Sequence, residues 1–275
     1  MKRIVTYIIA FILMLSIIAC IVIQTVRTTI LNKEYIISKM EENNYYESVK
    51  TNIQSSFEGY IQQSGLEEEV ITDLFSIDEV KNDTGILLSN IYTNENQKID
   101  TEKIKSRLRD KIYTSLADVK LKNDDKKSIE EFVDIIADTY KNEIEHTDWL
   151  GKLNGKVYKL SEILNIANIA LYVLPIILIL ILIVAHKKDI YRAIDRIGIS
   201  FVGSGVLIIG LTIFIKMNID IPNILILNEA ISIVIRSTIH QILNILTITS
   251  VIFEAIGIIA CFIANYIKLK RIELI

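Results

Sequence analysis

A chain of 275 residues with 51% hydrophobic content and a mean hydropathy of +0.39 is too apolar for an ordinary soluble enzyme. Because 23% of its residues are still charged, the apolar ones must be gathered into blocks, as in a membrane protein with a polar portion outside the bilayer. The only cysteines, Cys20 and Cys261, both lie in apolar runs, which excludes a disulfide scaffold, a zinc ribbon and a cysteine-held cluster.

The first block, Ile4 to Ile23, carries no charge and is long enough to cross a hydrocarbon core of about 30 Å at about 1.5 Å per residue. Within it Ile17, Ile18, Ala19 and Cys20 resemble a lipoprotein cleavage box. The apolar run continues through Ile21, Val22 and Ile23, where a lipoprotein turns polar, so an uncleaved anchor is the expected reading.

Residues 24–160 follow as one large polar segment. It holds 19 Lys and Arg against 26 Asp and Glu, net −7, so the rest of the chain carries +4. An acidic segment argues against nucleic acid or anionic lipid as its partner. It has no proline, and its apolar residues recur at helical spacing. One face holds Tyr46, Val49, Ile53, Phe57 and Tyr60, a second Ile104, Leu108, Ile112 and Leu116, and a third Ile129, Phe132, Val133, Ile136 and Tyr140. Ser76 with Glu79 and Ser128 with Glu131 match the capping-box spacing, and Gly65 stands where a helix should stop. Four or five amphipathic helices are expected in a compact bundle, the first continuing out of span one and the last running into span two. Loops are expected at Thr93 to Lys98 and Lys122 to Lys127.

Three more apolar runs close the chain: Ile163 to Ala185, about Ile197 to Ile215, and about Ile242 to Ile267, the last interrupted by Glu254. Basic residues cluster at Lys2 and Arg3, at Lys187, Lys188, Arg192 and Arg196, and at Lys268, Lys270 and Arg271. Four spans put these three places on one side, and the positive-inside rule makes that side the cytoplasm. The predicted fold class is therefore all-α: a polytopic membrane protein with four transmembrane helices, residues 161–275 holding helices two to four, and an outer helical bundle of residues 24–160 inserted after helix one. A fifth crossing through Ile219 to Ile235 would contain Asp220, Glu229 and Pro222 and would move the basic tail outside, so Ile219 to Leu227 is read as an interfacial or re-entrant piece.

Catalytic signatures are missing: there is no glycine-rich phosphate loop, nucleophile elbow or HExxH, and His146, His186 and His240 form no i, i+4 pair. His146 near Glu143 and Asp148 reads as a solvated helix end before it reads as a metal site. No cofactor, metal or catalytic residue is expected. The pattern Asn82-Asp83-Thr84 matches a glycosylation acceptor at the level of chance.

Lysine outnumbers arginine 22 to 8, a usage that follows AT-rich codons. The stretch from Tyr45-Tyr46-Glu47 to Tyr60-Ile61-Gln62-Gln63-Ser64-Gly65-Leu66, followed by Ile99-Asp100-Thr101-Glu102, resembles uncharacterised four-span envelope proteins of low-GC Gram-positive bacteria. That resemblance covers the whole chain and implies a cell-membrane location and no known activity.

The intramembrane polar residues are the candidate site. On the fourth span Asn244, Thr247, Ser250, Glu254, Gly257, Cys261 and Asn265 recur every three or four residues. The second span offers Asn165, Asn168 and Tyr172, and the third Ser204 among small residues. These lines suit the packing seams of a bundle first, and an ion or small-molecule path centred on Glu254 second. A charged carboxylate near mid-span costs on the order of 3 kcal/mol. Glu254 is thus expected to face the bundle interior as a neutral acid bonded near Ser204 or Tyr172. Glu229, Ser232, Arg236 and His240 extend the stripe, either as one long helix or as an amphipathic helix on the membrane surface.

The expected function is that of a non-enzymatic envelope protein whose outer domain senses or binds a ligand or a second envelope protein, with the bilayer as its other partner. The alternative is a transporter or channel component using the Glu254 stripe, with an intramembrane enzyme third.

Overall fold

The computed structural model describes residues 2–145, 155–224 and 229–272; His146 and Asp148 lie outside them, as do Leu225 to Leu227 of the expected interfacial piece. Those residues form α1 (Lys2–Thr28), α2 (Lys33–Glu42), α3 (Tyr45–Ser64), α4 (Ile77–Thr93), α5 (Glu102–Ser115), α6 (Asn123–Glu145), α7 (Lys156–Ala185), α8 (Ile190–Asn218) and α9 (Glu229–Ile272). Short 3-10 turns occupy Glu68–Val70 and Ile221–Asn223, and there is no strand among the described residues. Among the described residues the fold is all-α, and four helices, α1, α7, α8 and α9, are long and apolar enough to cross a membrane.

The chain divides into two compact units. The first, here the span unit, comprises residues 1–36, 161–227 and 235–275; the second, the helical unit, comprises 37–160 and 228–234.

In the helical unit the apolar faces read from the sequence become one core. Tyr46, Val49, Ile53 and Phe57 of α3, Leu108 and Ile112 of α5, and Val133, Ile136 and Tyr140 of α6 are all buried. Tyr60 is exposed, because the buried row of α3 steps from Phe57 to Ile61 by four residues rather than three. The aromatic rings interlock edge to face, Phe57 with Phe75 at 5.8 Å and Phe75 with Tyr140 at 5.1 Å.

The helix ends follow local chemistry. Gly65 closes α3 in the left-handed region at φ 71°, which costs glycine little. Ser76 and Glu79 form the full capping box that opens α4. The second expected box fails: Ser128 lies inside α6, which already starts at Asn123. There the backbone N–H of Lys122 donates to the Asp125 carboxylate at 2.7 Å, and two acidic residues in the first turn suit the positive helix end. The stretch Lys122 to Lys127 is thus mostly helix, whereas the chain between Asn94 and Thr101 is the expected loop. Buried Asn90 clamps that loop, donating to the Gln97 carbonyl at 2.8 Å and accepting from the Gln97 N–H at 3.0 Å. The helix of span one stops at Thr28 instead of running on into α2, and Thr29 to Asn32 make the break.

In the span unit α1 is the central rod. Leu13, Ile17 and Ile21 of α1 pack with Leu178 and Leu182 of α7, Ile208 of α8 and Leu246 of α9. Arg192 and Arg196, which precede the apolar run that starts near Ile197, lie on the first turns of α8, so the α7–α8 turn spans only His186 to Asp189. Long basic side chains can remain helical at a membrane edge because their flexible stems carry the charge to water. The last span is one unbroken helix of 44 residues, about 65 Å at about 1.5 Å per residue. A separate surface helix over residues 229–241 is thereby ruled out.

Candidate functional site

The eight polar candidates fall on two different seams. Those on α7 meet α1: Asn165 accepts from Arg27 at 3.0 Å, and the Tyr172 hydroxyl donates to Gln24 at 2.6 Å. Asn168 lies between them with its carbonyl oxygen buried and unbonded among the described residues. A step further along, the Cys20 thiol donates to the Leu171 carbonyl at 3.0 Å.

The candidates on α9 meet α8 instead. Asn244 accepts from Lys216 at 3.3 Å, and the Thr247 hydroxyl, bonded to the Leu243 carbonyl at 2.7 Å, approaches that of Thr212 at 3.4 Å. Ser250 is fully buried with no partner for its hydroxyl among the described residues. Glu254 is half-buried with its stem against α8. Its expected partners are engaged elsewhere, Ser204 with the Phe201 carbonyl at 2.8 Å and Tyr172 with Gln24. The spacing of three to four residues located the α9 stripe correctly, yet it could not tell which neighbouring helix each stripe would meet.

Small residues set the distance between α8 and α9. A methyl group on Gly205 would sit 2.8 Å from the Ser250 carbonyl oxygen and 2.9 Å from Cβ of Glu254. One on Gly257 would sit 2.7 Å from both the Gly198 carbonyl oxygen and the Val202 nitrogen. The two backbones therefore come close on both sides of Glu254.

Polar clefts open at the two ends of the span unit. At the end carrying the α7–α8 turn, a cleft of about 480 Å³ is lined by residues of α1, α8 and α9 and by His186 of the turn, among them Tyr7, Asp195, Arg196 and Lys268. The Arg196 guanidinium lies 3.8 Å from the Tyr7 ring centre and donates to its hydroxyl at 2.8 Å. Arg271 bonds Asp189 at 2.6 Å and the Lys188 carbonyl at 2.8 Å, tying the end of α9 to that turn. At the opposite end, where α8 stops, a cleft of about 690 Å³ is lined by Lys216, Ile219, Ile221, Pro222, Arg236, His240 and neighbours on α9. The sequence signal for this second cleft was present as Lys216 at the end of one apolar run and Arg236 and His240 just before the next, but their juxtaposition needs the fold.

Among the described residues of the helical unit, Tyr140 and Asp83 form a buried, hydrogen-bonded ionisable pair. The Tyr140 hydroxyl donates to the Asp83 carboxylate at 2.7 Å, and both residues are buried. Desolvation pushes the Asp83 carboxyl above its ordinary value against the opposing bond from Tyr140, and burial raises the Tyr140 phenol as well. Nothing in the helical spacing marked Asp83 as buried, since it lies one turn past the capping box on a polar-looking stretch. No group of three or more metal-binding side chains occurs among the described residues. No protein-family profile, curated protein or solved structure matches the chain.

Proposed function

We propose that the chain is a non-enzymatic, multi-pass envelope membrane protein. In this reading the helical unit lies outside the cytoplasmic membrane between spans one and two and binds a ligand or a partner protein. The span unit anchors it, with both chain ends in the cytoplasm. The observation that carries the reading is α9. Its first residues, Glu229 to Val234, group with the helical unit, and the same unbroken helix ends with Asn265 and Lys268 lining the basic cleft. A state change at one end of a continuous helix is transmitted as a shift or rotation of the whole rod. The basic residues Lys187, Lys188, Arg192, Arg196, Lys268, Lys270 and Arg271 support the orientation, as does the acidic balance of residues 24–160.

Photo-crosslinking in the native host tests this. A benzophenone side chain at the exposed positions Tyr60 or Ile135 of the helical unit should yield a discrete adduct, whereas one at Phe214 on α8 should yield only lipid. Adducts confined to the span positions would refute binding by the helical unit. A transport component is the second reading, favoured by the buried, unbonded Ser250 hydroxyl one turn from Glu254. Under the first reading, wild type and Glu254→Gln reconstituted in vesicles show the same proton leak.

A further inference from the structure

A separate groove of about 700 Å³ opens at the α7–α8 end of the span unit, on the flank where α1 and α7 run side by side. Its walls are two apolar rows, each one helical turn long: Val5 and Ile9 on α1, and Ile181 and Val184 on α7. Val5, Ile181 and Val184 are exposed, so the groove has a hydrocarbon lining that no other part of the described chain covers. Where the apolar run of α7 ends, Lys187 and Lys188 of the turn complete the lining.

Charge at that end of the groove is unbalanced. Among the described residues Asp189 is the one carboxylate in the lining, and both of its oxygens are committed to arginines, one to Arg271 at 2.6 Å and the other to Arg192 at 3.6 Å. Neither lysine ammonium makes a hydrogen bond or ion pair among the described residues, and both lysines are exposed. The neighbouring polar cleft, which shares His186 and Arg192 with the groove, is different, because Arg196 there is met by the Tyr7 hydroxyl and by Asp195. An anion entering the groove thus meets two cations that no described acid neutralises.

A free inorganic anion would use the lysines alone, whereas a molecule with an anionic head and a hydrocarbon tail would use the whole groove. From this juxtaposition we infer that the groove seats one anionic phospholipid, its phosphodiester at Lys187 and Lys188 and an acyl chain between the apolar rows of α1 and α7. Lysine suits such a place, since its flexible stem lies along apolar surface while the ammonium reaches the headgroup level. The site depends on neither the binding partner of the helical unit nor the orientation of the chain, because its chemistry is the same in either leaflet.

Native mass spectrometry of the full chain in non-ionic detergent tests the assignment, with phosphatidylglycerol, phosphatidylcholine and inorganic phosphate as separate probes. The expected result is a saturable single adduct of phosphatidylglycerol that phosphatidylcholine does not match and phosphate does not displace. Lys187→Gln with Lys188→Gln should weaken that adduct about tenfold, as expected for two interfacial cations, and the exposure of both side chains makes the pair safe for folding. Val184→Trp, also at an exposed position, fills the groove without changing charge and should weaken the adduct severalfold. Lys268→Gln with Lys270→Gln removes as much charge from the same end of the span unit but outside the groove, and should leave the adduct unchanged. Equal binding of the two lipids, an adduct insensitive to the Lys187 and Lys188 pair or to Val184→Trp, or equal loss in the Lys268 and Lys270 pair would overturn the site, the last by showing only diffuse attraction to a basic surface. Displacement by inorganic phosphate would overturn the lipid and leave a soluble anion as the occupant.

Discussion

The Asp83 and Tyr140 side chains meet in the core of the helical unit, where a charged carboxylate is costly unless it is well bonded. Removing the donor should therefore hurt more than removing the charge. Tyr140→Phe leaves a buried carboxylate short of its shortest bond and is expected to cost about 2 kcal/mol, read from chemical unfolding. Asp83→Asn keeps an acceptor for Tyr140 and abolishes the desolvation penalty, so at pH 7 it should be neutral or stabilising by about 1 kcal/mol. The pH dependence has a definite sign. The folded-state value of Asp83 lies above its unfolded value, so its contribution is most favourable below the unfolded value of about 4 and is lost as pH rises through the raised folded one. Glu79 runs the other way. The hydrogen bond from Arg107 lowers its carboxyl, so its contribution holds above about 4 and fades on acidification. Melting followed from pH 4 to pH 7 should show the gap between Asp83→Asn and wild type widening with pH, and a constant gap would exclude the buried acid as its cause.

Among the elements, the α8–α9 pair shows what sequence periodicity could and could not reveal. Steps of three and four marked Ser250, Glu254, Gly257 and Cys261 as one stripe, and the structure places that stripe on a single contact with Gly198 and Gly205. The pairing of stripes was not legible. Asn165, Asn168 and Tyr172 look like a match for Glu254 in composition, yet they face α1, because a helix reports its own polar face and not the neighbour that covers it. Helix starts were legible where a side chain caps the backbone directly, as at Ser76, and misread at Ser128, where Asp125 supplies an earlier acceptor. The glycines of α8 and α9 give a test at this scale. Gly257→Ala would place a methyl group against backbone atoms of α8 and should cost on the order of 2 kcal/mol. Gly210→Ala meets nothing within 4 Å, so it should stabilise α8 by about 0.5–1 kcal/mol through helix propensity. Thermal denaturation in detergent should move in opposite directions for the two, and equal shifts would mean that the close approach is not what holds the pair.

At the scale of the whole molecule, segregation of apolar from charged residues made the four long helices and the polar segment readable before any geometry, because a hydrocarbon core requires about 20 consecutive apolar residues. Packing inside the helical unit draws on a different rule, the i, i+4 rows of α3, α5 and α6, which form a core of their own. Residues 37–160 made in isolation should accordingly give a helical circular dichroism spectrum and a single cooperative melt, and a non-cooperative melt would show that residues 228–234 are needed to close that core. Orientation rests on charge. Seven basic residues between Lys187 and Arg196 and between Lys268 and Arg271 gather at the end of the span unit that holds the α7–α8 turn, and by the positive-inside rule that end is expected in the cytoplasm. In a background with Cys20 and Cys261 replaced by serine, single cysteines at Asn96 and Lys187 report on the two sides. Asn96, in the loop before α5, should react with a membrane-impermeant maleimide on intact cells, while Lys187 should react only after permeabilisation. The inverse pattern would turn the molecule over, placing the acidic helical unit in the cytoplasm and the basic end outside. Labelling of both positions on intact cells would break the four-crossing topology itself, since α7 would then not separate them.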